Sequence, residues 1–181
     1  MCIRDSCKAA LEALQKATNP GRRSFRGALR LARVERVYDG DTINVPTALD
    51  NREPYYEYSL RILGIDAPEL TPPRRMEHRE LHVEAAKVAH DRLRVLIPPK
   101  SIICVEYKPE EKYGRLLGAI YDDEWELYDE DPNRVLTESC NLGQRLLEEG
   151  FVNAYWGRRK TPFTPQKLEQ IIRLGEEYGL R

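Results

Sequence analysis

Apolar and basic residues alternate through ALRLARVERV at 28–37, the period of a half-buried strand. A turn at Tyr38-Asp39-Gly40-Asp41 follows, then a short strand from Thr42 to Val45. Residues 46–54 hold Pro46, Asn51 and Pro54 and read as an enlarged hairpin loop before a third strand, YYEYSLRILGI, at 55–65. These three segments predict a meander. A proline-rich loop at 67–73 precedes residues 77–97, where Leu81, Ala85, Val88, Ala89, Leu93 and Leu96 share one helical stripe that Pro98-Pro99 ends. Strands are predicted at Ile102 to Tyr107 and Leu116 to Tyr121. Helices are predicted near 136–149, capped by Gly150, and near 165–178, after Thr164-Pro165. Before all of these, CKAALEALQKAT at 7–18 has helical spacing that Asn19-Pro20-Gly21 stops, so a short helix at about 8–18 and a linker are expected.

Three strands, a helix, two strands and further helices is the order of an α+β protein built on a five-stranded Greek-key barrel, the OB-fold, with α-helices outside it. An α+β sandwich shares that order. The chain divides into an N-terminal extension, 1–27, and one folded unit, 28–181. Its 181 residues, 41% hydrophobic, suffice for an ordinary core, and no apolar run reaches the length of a membrane span.

Charge is unevenly distributed along the chain. The net charge of −1 argues against a uniformly basic nucleic-acid protein, but residues 122–131, DDEWELYDED, carry seven acidic groups. With those seven set aside the remainder stands at +6, mildly basic. The acidic stretch reads most simply as a solvated insertion. The arginines at 22, 23, 26, 30, 33 and 36 read first as a solvated strand face and second as a nucleic-acid contact. Cys2, Cys7, Cys104 and Cys140 show neither CxxC nor zinc-finger spacing, so no zinc site or disulfide scaffold is signalled. The opening MCIRDS matches the translation of a sequencing-library adapter, so residues 1–6 are set apart and the natural N-terminus and compartment are not readable.

Candidate chemistry lies at strand ends. Asp39-Gly40-Asp41 opens the second strand and Asp66-Ala67-Pro68-Glu69 closes the third; in an antiparallel hairpin those ends are neighbours. Asp41 and Asp66 brought together repel unless protonated or joined by a cation, and a hard ion such as Ca²⁺ or Mg²⁺ suits oxygen donors. Either motif alone reads first as structural, DGD as a turn with Asx hydrogen bonds and DAPE as a loop, and together at matching strand ends they are more specific. Arg61 stands in LRILGI, apolar on both faces, where a charge is costly unless paired or used. Either a salt bridge to these carboxylates or a phosphate would answer it. Lys112-Tyr113-Gly114-Arg115 puts another guanidinium at a strand start, although the plain reading is a basic turn. His78 and His82 lack an HExxH order and are expected on a solvated helix face.

VYDGDT, RILGIDAPE, KYGR before a strand, and LLEEGFVNAYW, in that order, resemble the staphylococcal-nuclease-like (thermonuclease) family over residues 28–178. The resemblance implies a Ca²⁺-dependent phosphodiesterase acting on DNA and RNA with low sequence specificity and leaving 3′-phosphate ends. It implies Asp41, Asp66 and the carbonyl of Ala67 as metal ligands, with Asp39 near the ion's waters. Glu69 is implied to orient or deprotonate the attacking water. Arg61 and Arg115 would grip the scissile phosphate, Lys112 and Tyr113 a neighbouring one, and Tyr155, beside Trp156, would lie under a base. A monomer without a membrane span is expected. The competing class is a catalytically silent OB-fold module that only binds nucleic acid or protein, since a fold does not guarantee its chemistry. Possession of both carboxylates, the glutamate and both arginines favours the enzyme.

Overall fold

The computed structural model describes residues 29–47, 56–108, 115–121, 141–157 and 159–180. The expected N-terminal helix, Lys112, Tyr113, the acidic stretch at 122–131 and the first residues of the helix expected from 136 lie outside the described residues.

In chain order the elements are β1 (Leu29–Arg33), β2 (Arg36–Val37), β3 (Thr42–Thr47), β4 (Tyr56–Ile62), β5 (Gly64–Asp66), α1 (Arg79–Leu96), β6 (Ile102–Lys108), β7 (Leu116–Tyr121), α2 (Leu142–Glu149), β8 (Asn153–Tyr155) and α3 (Pro165–Glu177). The strands form a six-stranded sheet, ordered β1-β6-β7-β4-β3-β2, and a two-stranded sheet, β5-β8. This α+β arrangement departs from the five strands expected, and the reason is local. The segment 29–37 changes partners at Val34 and Glu35: the Val34 N–H donates to Ser101 O (2.9 Å), while the Glu35 N–H donates to Asn44 O (2.9 Å). One expected strand therefore becomes β1, paired with β6, and β2, paired with β3. The strand expected over 55–65 is likewise divided by a turn at Leu63, and Gly64 takes φ 84°, a left-handed conformation that favours glycine. Beyond it, β5 leaves β4's line to pair with β8.

β3 runs two residues past the predicted end, through Pro46, which faces Glu57 on β4. β2 pairs only with Ile43 and Asn44, so at Pro46 one edge of β3 has no ladder among the described residues, a position that tolerates the missing N–H. β4 and β7 pair in parallel, Arg61 opposite Leu117, a connection that needs a long crossover, and α1 lies within it.

The core lies against the six-stranded sheet and under the helices. Ile43, Val45, Leu60, Val105, Tyr107 and Ile120 are fully enclosed, joined by Ala85, Ala89 and Leu93 of α1 and Leu168 and Ile171 of α3. α1 and α3 approach closely at Gly175, where an added Cβ would meet Val88 at 2.8 Å. Among the described residues α2 begins at Leu142, where the Asn141 side chain accepts the Gln144 N–H as its N-cap; Gly150 closes it at φ 89°. α3 begins with Thr164 as N-cap followed by Pro165, as its sequence predicts.

Candidate active site

The turn between β2 and β3 is shaped by its own side chain: Asp39 Oδ1 accepts the Asp41 N–H at 3.0 Å, and the Tyr38 N–H donates to Thr42 O at 2.9 Å. Gly40 is required here by space. A Cβ at that position would lie 2.7 Å from Ala67 Cβ and 2.9 Å from Ala89 Cβ, so the turn rests directly on α1 and on the end of β5. That contact brings Asp41 beside the residues after β5, and the Ala67 N–H donates to Asp41 Oδ2 at 3.0 Å.

Arg61 joins the two motifs. The β3-β4 register sets it opposite Thr42. Its Nη1 donates to Asp41 Oδ1 (3.1 Å), and its Nη2 donates to Asp66 Oδ1 (3.0 Å) and to the Ile65 carbonyl (3.1 Å). Thr42 Oγ1 adds a donor to Asp41 Oδ1 at 2.8 Å. Arg61 is 5% exposed, Asp41 and Asp66 4% each. Two buried carboxylates thus share one guanidinium, leaving negative charge in excess, and Asp39 adds to it. Burial, together with the neighbouring Asp41 charge, pushes the Asp39 carboxyl up to about 6.

Lys160, which the motifs did not single out, answers part of that excess. Its Nζ lies 2.8 Å from Asp66 Oδ1 and 3.8 Å from Glu69 Oε1. Burial disfavours the ammonium, but the hydrogen bond and charge of Asp66 outweigh it and raise its pKa. The basic stretch before Thr161-Pro162 was the signal in the sequence, without anything to say which carboxylate it meets. An open cleft of about 470 Å³ runs past these groups, lined by Tyr38, Asp39, Asp41, Arg61, Ala67, Glu69, Arg115 and Lys160 among others. Glu69 is exposed, and Arg115 enters from the start of β7. Tyr155 sits on β8 with its ring against Arg61, 5.4 Å from Cζ, while Trp156 next to it is 73% exposed and covers Gly64. Of the ten residues singled out, Asp39, Asp41, Arg61, Asp66, Ala67, Glu69 and Arg115 line this cleft or the adjoining pocket, and Tyr155 backs it; Lys112 and Tyr113 lie outside the described residues.

The donor set suits a hard divalent ion. Asp41 and Asp66 converge on one cation, Arg61, and both are carboxylates. Among the described residues no group of three or more His, Cys, Asp or Glu side chains gathers as a complete cage. One or two carboxylates completed by water and phosphate oxygens is a usual arrangement for Mg²⁺, whereas Ca²⁺ takes more oxygen ligands, carbonyls and waters among them. The histidine expectation is corrected: His78 is exposed, but His82 is 8% exposed on the inward side of α1.

The family described as staphylococcal nuclease homologue matches residues 59–176, and the chain belongs to that family, whose membership implies the OB-fold. It is 29% identical over 126 residues to endonuclease YhcR of Bacillus subtilis (strain 168), covering 68% of this chain and 9% of that protein. It is 33% identical over 89 residues to an uncharacterized endonuclease of Escherichia coli O157:H7, covering 49% of this chain and 46% of that one. The chain spans less than half the length of either relative. Among the described residues no helix is long and apolar enough to cross a membrane.

Proposed function

We propose that this chain is a Ca²⁺-dependent nuclease that hydrolyses phosphodiester bonds of DNA and RNA with little sequence specificity, leaving 3′-phosphate ends. The observation that carries the reading is Arg61, buried between Asp41 and Asp66 at the wall of an open cleft that Glu69 and Arg115 also line. Membership of the nuclease family and the names of the two endonuclease relatives support it. The folded unit is read as residues 28–181, with the bent segment 29–37 serving as one strand of a five-stranded barrel because it pairs with β6 at one end and β3 at the other.

Asp41, Asp66 and the Ala67 carbonyl would hold the ion, which when bound supplies positive charge beside the phosphate. Arg61 and Arg115 bind the phosphoryl oxygens and gain strength as charge builds there. Glu69, exposed at the cleft, accepts a proton from the attacking water as the new O–P bond forms; the 5′ oxygen leaves with its bonding pair and is protonated from solvent. Lys112 and Tyr113 are assigned to a neighbouring phosphate, Asp39 to the waters around the ion, and Tyr155 to base stacking. Stacking accepts every base, which suits low specificity.

The test is release of acid-soluble nucleotides from heat-denatured DNA with Ca²⁺, with Mg²⁺ or with chelator, for the wild type, Glu69→Gln and Arg115→Ala. Release that requires Ca²⁺ and falls by roughly a hundredfold or more in each variant supports the reading. DNA binding without release under any metal would make the chain a silent binding module.

A further inference from the structure

A second pocket adjoins the cleft, between the residues leading into α1 and the segment before α3. It measures about 160 Å³ and is walled by Met76, His82, Pro162 and Phe163, with Ala67, Glu69 and Lys160 at the side it shares with the cleft. Its size is that of one six-membered ring: a dry protein cavity of about 150 Å³ holds benzene. Its wall is aromatic and mostly apolar, with Phe163 meeting the His82 ring edge-on at 6.2 Å and 83°.

Asp66 and Thr161 line it too, and among its polar groups His82 is anomalous. It is 8% exposed, its Nδ1 is enclosed without a hydrogen-bond partner, and burial pushes its pKa down against the opposing pull of Glu69. A buried polar atom without a partner carries a cost of a kind that native proteins keep where a water or ligand answers it. A neutral imidazole carries one N–H donor and one acceptor that point away from each other, so one of them can meet a single carbonyl or ring N–H of a pyrimidine edge.

We propose that this pocket takes the pyrimidine base of a nucleotide whose phosphate lies in the neighbouring cleft, and that it biases binding and cleavage toward pyrimidines at that position. The proposal rests on the nuclease reading for its substrate class. Continuity with the cleft through Ala67, Glu69 and Lys160 ties a base here to a phosphate held there. The volume accepts one ring and leaves part of a fused two-ring purine outside.

The experiment uses the full chain in chelator, so that no cleavage occurs, with ring signals of its three histidines followed by NMR during titration with hexathymidylate or hexaadenylate. His82→Leu assigns the His82 signal, and His78 and His90 serve as internal references. The proposal expects the His82 ring to shift saturably with hexathymidylate, with hexaadenylate binding at least about fivefold more weakly, the lower end of what one stacked base contributes. Met76→Trp, at a position 36% exposed, fills the pocket from its rim without opening the core and should erase the difference between the two oligonucleotides. An unshifted His82 ring, or equal affinities for the two in the wild type, overturns the proposal. Nucleotide release with Ca²⁺ is scored separately: its absence overturns the nuclease reading, whereas release with no His82 response overturns the pyrimidine subsite alone.

Discussion

Arg61 and Arg92 look alike in isolation: each is buried, each is bonded to carboxylate and each lies against a tyrosine ring. Arg92 on α1 makes a bidentate pair with Glu149 of α2, Nε to Oε2 at 2.7 Å and Nη2 to Oε1 at 2.5 Å. Tyr178, just past α3, covers its guanidinium at 4.6 Å and meets Phe151 edge-on. One guanidinium and one carboxylate match in geometry, and three helices are held at that point. Arg61 has two carboxylates and a carbonyl around it and stands at the wall of a cleft. Arg92 and Glu149 match one to one and tie helices together, whereas Arg61 and Lys160 meet Asp41 and Asp66, with Asp39 nearby, at the wall of a cleft where the negative charge in excess suits a cation. Burial and ion pairing alone do not separate the two roles; the ratio of charges and the access do.

Loss of the two arginines should act on different properties, with the largest effect on activity at Arg61. Arg61→Gln should lower nucleotide release by roughly a hundredfold or more. Arg92→Gln should leave the rate per folded molecule within about a factor of two, since it touches no substrate, and steady-state rates corrected for folded fraction decide this. Stability should run the other way. Among the described residues Arg92→Ala leaves Glu149 beside only Arg145, and it should cost about 3–5 kcal/mol in denaturant unfolding. Added Ca²⁺ should raise the melting temperature of Arg61→Gln, where two carboxylates lose their guanidinium, and should not compensate the loss in Arg92→Ala.

Gly40→Ala tests whether close approach organises the site. The added methyl meets Ala67 and Ala89, so a cost of about 1–3 kcal/mol is expected together with a fall in activity as Asp41 moves from Ala67. Smaller effects should appear in the pH dependence, with opposite signs at the two places. The Asp39 carboxyl is raised from 3.8 to about 6 in the folded chain, so its contribution to stability is fully present below about pH 4 and is lost as pH rises through 6. Asp39→Asn in chelator should flatten that window and be relatively more stable than wild type at pH 7 to 8. Burial raises the Glu149 pKa, but the hydrogen bonds and charges of Arg92 and Arg145 outweigh it and hold it below 4.5. Its contribution is therefore present above that value and fades on acidification, and Glu149→Gln should weaken the acid limb of the stability profile. Arg145→Ala, which removes a half-exposed i,i+4 partner of Glu149, should cost no more than about 0.5 kcal/mol.

Much of the cleft was legible along the chain because its carboxylates sit at strand ends and Arg61 interrupts an apolar strand, both of which are local patterns. The pairing of Asp41 with Arg61 follows from the hairpin register. Lys160 was not legible, because its partner Asp66 lies far away in sequence, on a strand that leaves β4 only after the turn at Leu63. His82 was misread for a related reason: helical spacing shows a face, but what covers that face, here Phe163 from the segment before α3, is a contact between distant parts of the chain.

Legible in the chain alone were the positions of most strands and of α1 and α3, the N-terminal cap of α3, the break after Leu96, and the gathering of Asp39, Asp41, Arg61 and Asp66 toward one end of a hairpin, but not β8. These follow from periodicity, capping and register, which act over a few residues or across one turn. Long-range packing fixed where 29–37 changes partners, the contact of Gly40 with α1, the meeting of Lys160 with Asp66, the pairing of β5 with β8, and the closing of Arg92 on Glu149. Those outcomes depend on which distant surfaces exclude water together, and burial, with the pKa shifts that follow from it, is a property of the assembled packing.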